Sequence, residues 1–85
     1  MKSYFYILEC HDKSYYYGST TDISKRLQYH QSGRVNSTKS KLTVKLLYQE
    51  QYNSYKKANQ REYQVKLWKN RARVDKLIED QGAIV

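Results

Sequence analysis

Residues 4–20 read YFYILECHDKSYYYGST, and this stretch decides the fold of the chain. It holds two runs rich in apolar and aromatic residues, 4–9 and 14–20, on either side of the polar His11-Asp12-Lys13. Two such runs around a short polar segment are typical of a β-hairpin. A tight connection makes the two strands antiparallel neighbours, so the phenols of Tyr6 and Tyr16 can point to one face of the sheet.

A short helix is predicted over 23–31, after the hairpin. Asp22 precedes it as an N-cap residue, and Gly33 lies just beyond it as a stop signal. Ile23 and Leu27 recur on the stripe of this helix that would face the sheet. The segment that follows, 31–42, is polar and basic, and it is either a functional loop or a solvated connector.

The stripe next to Ile23 and Leu27 carries Asp22, Arg26 and His30 at intervals of four residues. An arginine there can hold a phosphate oxygen through its planar fork of donors. A histidine with a pKa near 6.5 can move a proton or donate to phosphate at neutral pH. The alternative is a solvated helix face on which Arg26 pairs with Asp22.

The second half of the chain predicts one more strand, near 43–51, and more helix. Ser54 can cap a longer helix, a break near Asn70 would separate it from a helical stretch over 72–80, and Gly82 closes the pattern. No internal linker or repeat is visible. Residues 1–85 therefore predict one small domain, a layered α/β or α+β structure.

Glu62 stands out on the longer helix, because Ala58 and Val65 place its carboxylate on the face that carries apolar groups. A carboxylate on such a face needs a compensating cation. That cation is either a metal ion or a neighbouring side chain, for which Arg61 and Lys66 are the candidates. One carboxylate is enough for Mg²⁺, which keeps several waters and also binds substrate phosphate.

The composition narrows the class of partner. Sixteen Lys and Arg against eight Asp and Glu give a net charge of +8, which favours a polyanion such as nucleic acid. No apolar run is long enough to span a membrane and no secretory segment opens the chain, so a cytoplasmic location is expected. One cysteine and two histidines leave zinc sites and Ser/His/Asp triads as poor fits.

The ordered motifs resemble the GIY-YIG nuclease superfamily over nearly the whole chain. They are similar to small stand-alone bacterial members, to the N-terminal nuclease domain of the excision-repair excinuclease and to structure-specific endonucleases. The segments that carry the resemblance are Tyr6-Ile7-Leu8-Glu9-Cys10, Tyr16-Tyr17-Gly18-Ser19-Thr20, Asp22-Ile23-Ser24-Lys25-Arg26-Leu27-Gln28-Tyr29-His30 and Arg61-Glu62.

The resemblance implies a three-stranded antiparallel sheet flanked by helices, and a metal-dependent endonuclease that hydrolyses phosphodiester bonds. Five side chains would converge on one shallow surface: Tyr6, Tyr16, Arg26, His30 and Glu62. Glu62 would hold Mg²⁺ or Mn²⁺, and Arg26 would neutralise charge in the transition state. Tyr6 is the first choice for activating water. Tyr16 and His30 would orient that water or relay its proton, and which of the two has which role stays open.

A tyrosine base with a pKa near 10 is ionised in only about one molecule in a thousand at pH 7. Nearby cations would favour the phenolate, which predicts activity rising at alkaline pH. The pattern also departs from the excision-repair branch, which has Lys where Ser19 stands, and Asn70 lies at an unusual spacing from Glu62.

The expected partner is nucleic acid, with DNA favoured over RNA by family analogy and a monomer assumed. Single-stranded or structured substrates fit a domain of this size. The expected nucleic-acid contacts are Gly18, Ser19, Thr20, Lys25, Arg34, Lys39 and Lys41. The competing functions are a nucleic-acid-binding module without activity, in which tyrosines stack on bases, and an adaptor in a repair or ribosomal assembly.

Overall fold

The computed structural model describes residues 2–31 and 44–80, and these form six elements. In chain order they are β1 (Ser3–Cys10), β2 (Tyr15–Thr20), α1 (Ile23–Gln31), β3 (Val44–Tyr52), α2 (Tyr55–Trp68) and α3 (Arg71–Asp80). The predicted Gly33, Arg34, Lys39, Lys41, Thr43 and Gly82 lie outside the described residues. No helix in the described ranges is long and apolar enough to cross a membrane.

The hairpin forms where the sequence predicts it. Its turn is closed by hydrogen bonds from the Cys10 amide to the Ser14 carbonyl, 2.8 Å, and from the Lys13 amide to the Cys10 carbonyl, 2.9 Å. Asp12 Oδ1 accepts from the Ser14 amide at 3.1 Å and from its hydroxyl at 2.6 Å. Lys13 adopts φ 71°, a left-handed conformation that the tight turn requires. Because Ser14 belongs to this turn, β2 starts one residue later than predicted.

The sheet has the order β2-β1-β3, and both pairings are antiparallel. Tyr6 of the central strand lies opposite Gly18 of β2 and Gln49 of β3. Successive residues of β1, from Phe5 to Leu8, are all buried, because both faces of this strand are covered. That is why the central strand reads as a continuous apolar run and not as an alternation.

Helices cover the two faces of the sheet separately. On one face Phe5, Ile7 and Tyr48 pack with Val65 of α2 and Val74 of α3. On the other face Tyr6, Leu8, Cys10 and Val44 pack against Ile23 and Leu27 of α1. The predicted apolar stripe of α1 therefore does face the sheet, and the predicted three-stranded antiparallel sheet flanked by helices is confirmed.

Polar side chains fix the helix starts. Asp22 Oδ1 accepts from the Lys25 amide at 3.0 Å, as its predicted role of N-cap requires. Ser54 Oγ accepts from the Lys57 amide at 3.2 Å and caps α2. Lys69, with φ 47°, ends α2, and Asn70 Oδ1 accepts from the Arg73 amide at 3.2 Å to start α3. The predicted break near Asn70 is thus a cap between two helices.

Candidate active site

Tyr6 stands at the centre of the candidate site, on the face of β1 that α1 covers. Its ring passes directly over Gly18 of the neighbouring strand. A Cβ built on Gly18 would lie 2.3 Å from Tyr6 Oη and 2.4 Å from Cζ, so any side chain here would force the buried Tyr6 ring to move. Glycine is therefore required here by the close approach of the ring, and this explains the glycine of the second motif.

Two residues of α1 contact the phenol oxygen of Tyr6. Arg26 Nε donates a hydrogen bond to Oη at 3.2 Å, and His30 Nε2 lies 3.2 Å from the same oxygen. Arg26 and His30 are one helical turn apart, so they share a stripe of α1, as the sequence predicts. Arg26 uses its Nε on Tyr6 and not on Asp22, which instead caps the helix.

The environment of His30 holds it neutral. The side chain is 0% exposed, and burial together with the neighbouring charge of Arg26 lowers its pKa from 6.5 to about 4. The ordinary pKa assumed from sequence is wrong for this histidine. Tyr6 Oη accepts from Arg26, and if its own proton is donated to His30 Nε2, the neutral imidazole carries its proton on Nδ1.

Tyr16 completes the aromatic part of the cluster. It lies opposite Leu8 in the register of β1 and β2, so its ring is on the same face as Tyr6, as predicted. The ring centroid of Tyr16 is 4.6 Å from that of His30, in an edge-on arrangement, and 6.5 Å from that of Tyr6. Tyr16, His30 and Tyr6 thus form one contiguous group between β2 and α1.

Burial dominates the ionisation of Tyr6. With only 2% of the residue exposed, desolvation raises its pKa to about 12, although the hydrogen bond and charge of Arg26 act to lower it. The negative charge of Glu62 is among the causes that raise it. Arg26 therefore acts in the predicted direction, but in this structure the cation does not bring the phenol below its ordinary pKa.

Glu62 reaches the same edge of the sheet from α2, on the opposite face. Its Oε1 accepts a hydrogen bond from Ser19 Oγ at 2.5 Å, and its Oε2 pairs with Lys66 Nζ at 2.6 Å. Ser19 follows Gly18, the residue beneath the Tyr6 ring. The carboxylate and the phenol thus approach edge strand β2 from its two faces. Glu62 is paired with Lys66, one of the two side-chain cations that the sequence suggested as alternatives to a metal ion.

The donor set fits a single-carboxylate metal site. Within residues 2–31 and 44–80, no group of three or more His, Cys, Asp or Glu side chains could enclose a metal ion. Glu62 is 16% exposed and already has a cation, the Lys66 ammonium, at one oxygen. An ion that keeps most of its waters and uses one carboxylate plus substrate phosphate, as Mg²⁺ does, suits this arrangement.

A polar network that the sequence analysis missed anchors α2 beside the site. Glu50 of β3 accepts hydrogen bonds from the hydroxyls of Tyr48 and Tyr52 and from Arg61, whose Nε is 3.0 Å away. Burial acts to raise the pKa of Glu50, but these hydrogen bonds outweigh it and lower the pKa. The signal was in the sequence, since Tyr48, Glu50 and Tyr52 recur with the period of two on one face of β3.

The predicted nucleic-acid contacts fall in different places. Gly18 is buried under Tyr6, and Ser19 is buried with its hydroxyl on Glu62. Thr20 and Lys25 line an open groove that also includes Arg26 and Tyr29, and Tyr29 is 46% exposed. Arg26, whose Nε contacts Tyr6 Oη, is the residue that this groove shares with the site. The roles of these residues in binding stay predictions.

Comparison with known proteins gives consistent matches. Residues 2–76 match the family model described as the GIY-YIG catalytic domain. A UPF0213 protein of Streptococcus pneumoniae is 41% identical over 81 residues, which cover 94% of this chain and 82% of that protein. A UPF0213 protein of Bacillus pumilus is 41% identical over 78 residues, 91% and 79% of the two chains. The solution NMR structure of a UPF0213 protein from Bacillus halodurans matches with a TM-score of 0.62 and 35% identity, covering 96% of this chain and 87% of that one.

Proposed function

Since the chain belongs to the GIY-YIG family, we propose that it is a metal-dependent endonuclease that hydrolyses phosphodiester bonds of nucleic acid. The observation that supports this most is the set of contacts at Tyr6 Oη. Arg26 and His30 both lie 3.2 Å from this oxygen, and Glu62 is near enough for its charge to raise the pKa of the phenol. The net charge of +8 suits a polyanionic substrate.

The roles proposed for the side chains follow from their positions. Tyr6 activates the attacking water, and Arg26, which lines the open groove, neutralises charge that grows on the phosphate in the transition state. Neutral His30, with Nε2 3.2 Å from Tyr6 Oη, would orient the phenol, and Tyr16, packed on His30, restricts the orientation of that ring. The general base in this proposal is Tyr6, and His30 and Tyr16 position its phenol.

Glu62 is proposed to hold Mg²⁺ or Mn²⁺ through its carboxylate. When bound, such an ion polarises a phosphate oxygen and stabilises the leaving group. Ser19 orients the carboxylate by its hydrogen bond to Oε1, so a metal ion would bind at Oε2, where Lys66 Nζ now lies 2.6 Å away. A cleavage assay with each metal in turn decides between Mg²⁺ and Mn²⁺.

Single-stranded or structured DNA is the proposed substrate, with DNA preferred over RNA by family analogy. The ring of Tyr29, 46% exposed and part of the groove lining, would give an unpaired base a surface on which to stack, and Arg26 Cζ lies 5.9 Å from the centroid of that ring. We expect a panel of single-stranded, branched and plain duplex substrates to be cut in that order of preference. Faster cutting of plain duplex would reject this part of the proposal.

The test of the activity is a cleavage assay with Mg²⁺ or Mn²⁺ and with chelator. We expect Glu62→Ala and Tyr6→Phe to lose cutting while most nucleic-acid binding remains. Glu79→Ala and Tyr63→Phe make the same chemical changes at exposed positions of α3 and α2, and should cut like the original protein. Unchanged cutting in both site variants, or full activity in chelator, would remove the proposed site.

A nucleic-acid-binding module without activity is the second candidate. Two observations favour it: the pKa of Tyr6 is raised to about 12, and the Glu62 carboxylate is paired with Lys66. Both functions predict affinity that falls with salt, because phosphate neutralisation releases counterions in either case. Binding without any metal-dependent cutting across the whole substrate panel would favour this candidate.

A further inference from the structure

Lys66 has a position that the roles given above do not explain. It lies one helical turn after Glu62 on α2, and its Nζ is 2.6 Å from Glu62 Oε2. Glutamate four residues before lysine is the favourable order for such a pair on a helix. The other oxygen of Glu62 is occupied by Ser19 Oγ, so each carboxylate oxygen has one donor. Lys66 is thus the cation that balances this carboxylate in the described structure.

The two partners of Glu62 differ in how easily they can leave. Ser19 is 7% exposed and is fixed in β2, whereas the Lys66 side chain is 48% exposed and has four methylene groups between its backbone and its charge. Because the ammonium end is half exposed, water can solvate it after it leaves, and an incoming divalent cation would supply the charge that the 16% exposed Glu62 carboxylate needs. The ammonium can therefore swing away from Oε2 without disturbing the sheet or α2.

A divalent cation at Oε2 would have to take the place of Lys66. The ammonium lies in hydrogen-bond contact with that oxygen, and two positive charges at such short range repel each other. We propose that Lys66 is an exchangeable counter-ion of Glu62, which holds the carboxylate in place without metal and is released toward the substrate phosphate when a divalent cation binds. This inference rests on the proposed function, because it takes Glu62 as the metal ligand.

The first test is direct binding of Mn²⁺ in the absence of nucleic acid, measured by calorimetry or by electron paramagnetic resonance. Lys66→Gln removes the competing cation, and we expect about two- to five-fold tighter Mn²⁺ binding, the range given by exposed ion pairs. Lys66→Arg keeps the ion pair and should bind Mn²⁺ like the original protein. Lys56→Gln makes the same change in net charge at an exposed position of α2 and should also leave the affinity unchanged.

The outcomes separate this inference from the function on which it rests. If Glu62→Gln loses Mn²⁺ binding but Lys66→Gln binds it no more tightly than the original protein, Glu62 remains the metal ligand and the role of Lys66 is wrong. If Glu62→Gln binds Mn²⁺ normally, both proposals fail together. Equal tightening by Lys56→Gln would show an effect of net charge and would overturn the competition at Glu62.

The second test asks where the released ammonium goes. In the Tyr6→Phe background, which should bind without cutting, the logarithm of affinity for a DNA oligonucleotide is measured against the logarithm of salt concentration. With Mg²⁺ present, we expect Lys66→Gln to reduce the slope by about one phosphate contact. With chelator, Lys66 stays on Glu62 and the two slopes should coincide. A slope difference that is the same in both conditions would overturn the release step.

Discussion

Burial of Tyr6 opposes its proposed role as a base, because burial disfavours the phenolate. A phenol whose pKa is raised to about 12 is ionised in only about one molecule in 10⁵ at pH 7. If phenolate is the active form, the cutting rate should rise about tenfold per pH unit from pH 7 to pH 9. The check is a pH–rate profile at saturating Mg²⁺, and a flat profile would assign the base to another group.

The lowered pKa of His30 makes the free energy of unfolding depend on pH. Its pKa is lowered to about 4 in the folded protein and is near 6.5 when unfolded, so the unfolded state binds the proton more readily. The stabilisation is therefore fully present above pH 6.5 and is lost as pH falls through 4. We expect roughly 3 kcal/mol less free energy of unfolding at pH 4 than at pH 7 from this group, measured by urea denaturation. His30→Gln should show a smaller loss, and an equal loss would contradict the assignment.

Gly18 makes a separate prediction. Gly18→Ala would drive the new methyl group into the phenol of Tyr6, and we expect a cost of about 1–3 kcal/mol of stability together with loss of cutting, because the ring must move. The check is a double-mutant cycle by urea denaturation. In a Tyr6→Ala background the same change should cost much less, and equal costs in both backgrounds would show that the ring is not the obstacle.

The residues of the site could be named from the sequence, but their pKa values could not. Tyr6, Tyr16, Arg26 and His30 meet as predicted because period two along the strands and intervals of four along α1 place them on facing surfaces. The raised pKa of Tyr6 and the lowered pKa of His30 depend on how completely α1 covers the sheet. Burial of that kind is a property of the assembled structure and leaves no local pattern.

Among the elements, α2 is tied to β3 by one polar cluster. Glu50 accepts hydrogen bonds from the hydroxyls of Tyr48 and Tyr52 and pairs with Arg61. Arg61 immediately precedes Glu62, the proposed metal ligand. Glu50→Ala would leave these donors without their acceptor, so we expect about 1–3 kcal/mol less free energy of unfolding and reduced cutting. Urea denaturation and the cleavage assay measure the two effects, and Glu50→Gln, which keeps an acceptor oxygen, should lose less. Full activity in Glu50→Ala would show that α2 needs no such anchor.

Element bounds were largely predictable, because caps and turns are local. Asp22, Ser54 and Asn70 each start a helix through a side chain that binds the third amide beyond it. The Glu50 network was not predicted, since its members come from β3 and α2 and meet only after the two elements pack. The face of the sheet that each helix covers likewise depends on packing between residues far apart in the sequence.

For the molecule as a whole, the proposed site is shared by two layers. The phenol, arginine and histidine lie between the sheet and α1, while the carboxylate arrives from α2 on the far side. The resemblance led us to expect all five side chains on one shallow surface. They meet instead around edge strand β2, where a glycine gives the phenol room and a serine holds the carboxylate.

The proposed base and the proposed metal ligand lie on opposite faces of the sheet. Nuclease activity would therefore require that α2 and α3 stay packed on the sheet. Opening of that C-terminal layer alone would separate metal ligand from nucleophile activation while the hairpin and α1 still hold their own apolar cluster. Cutting would then stop before the hairpin and α1 unfold, and it would return once the C-terminal layer docks again.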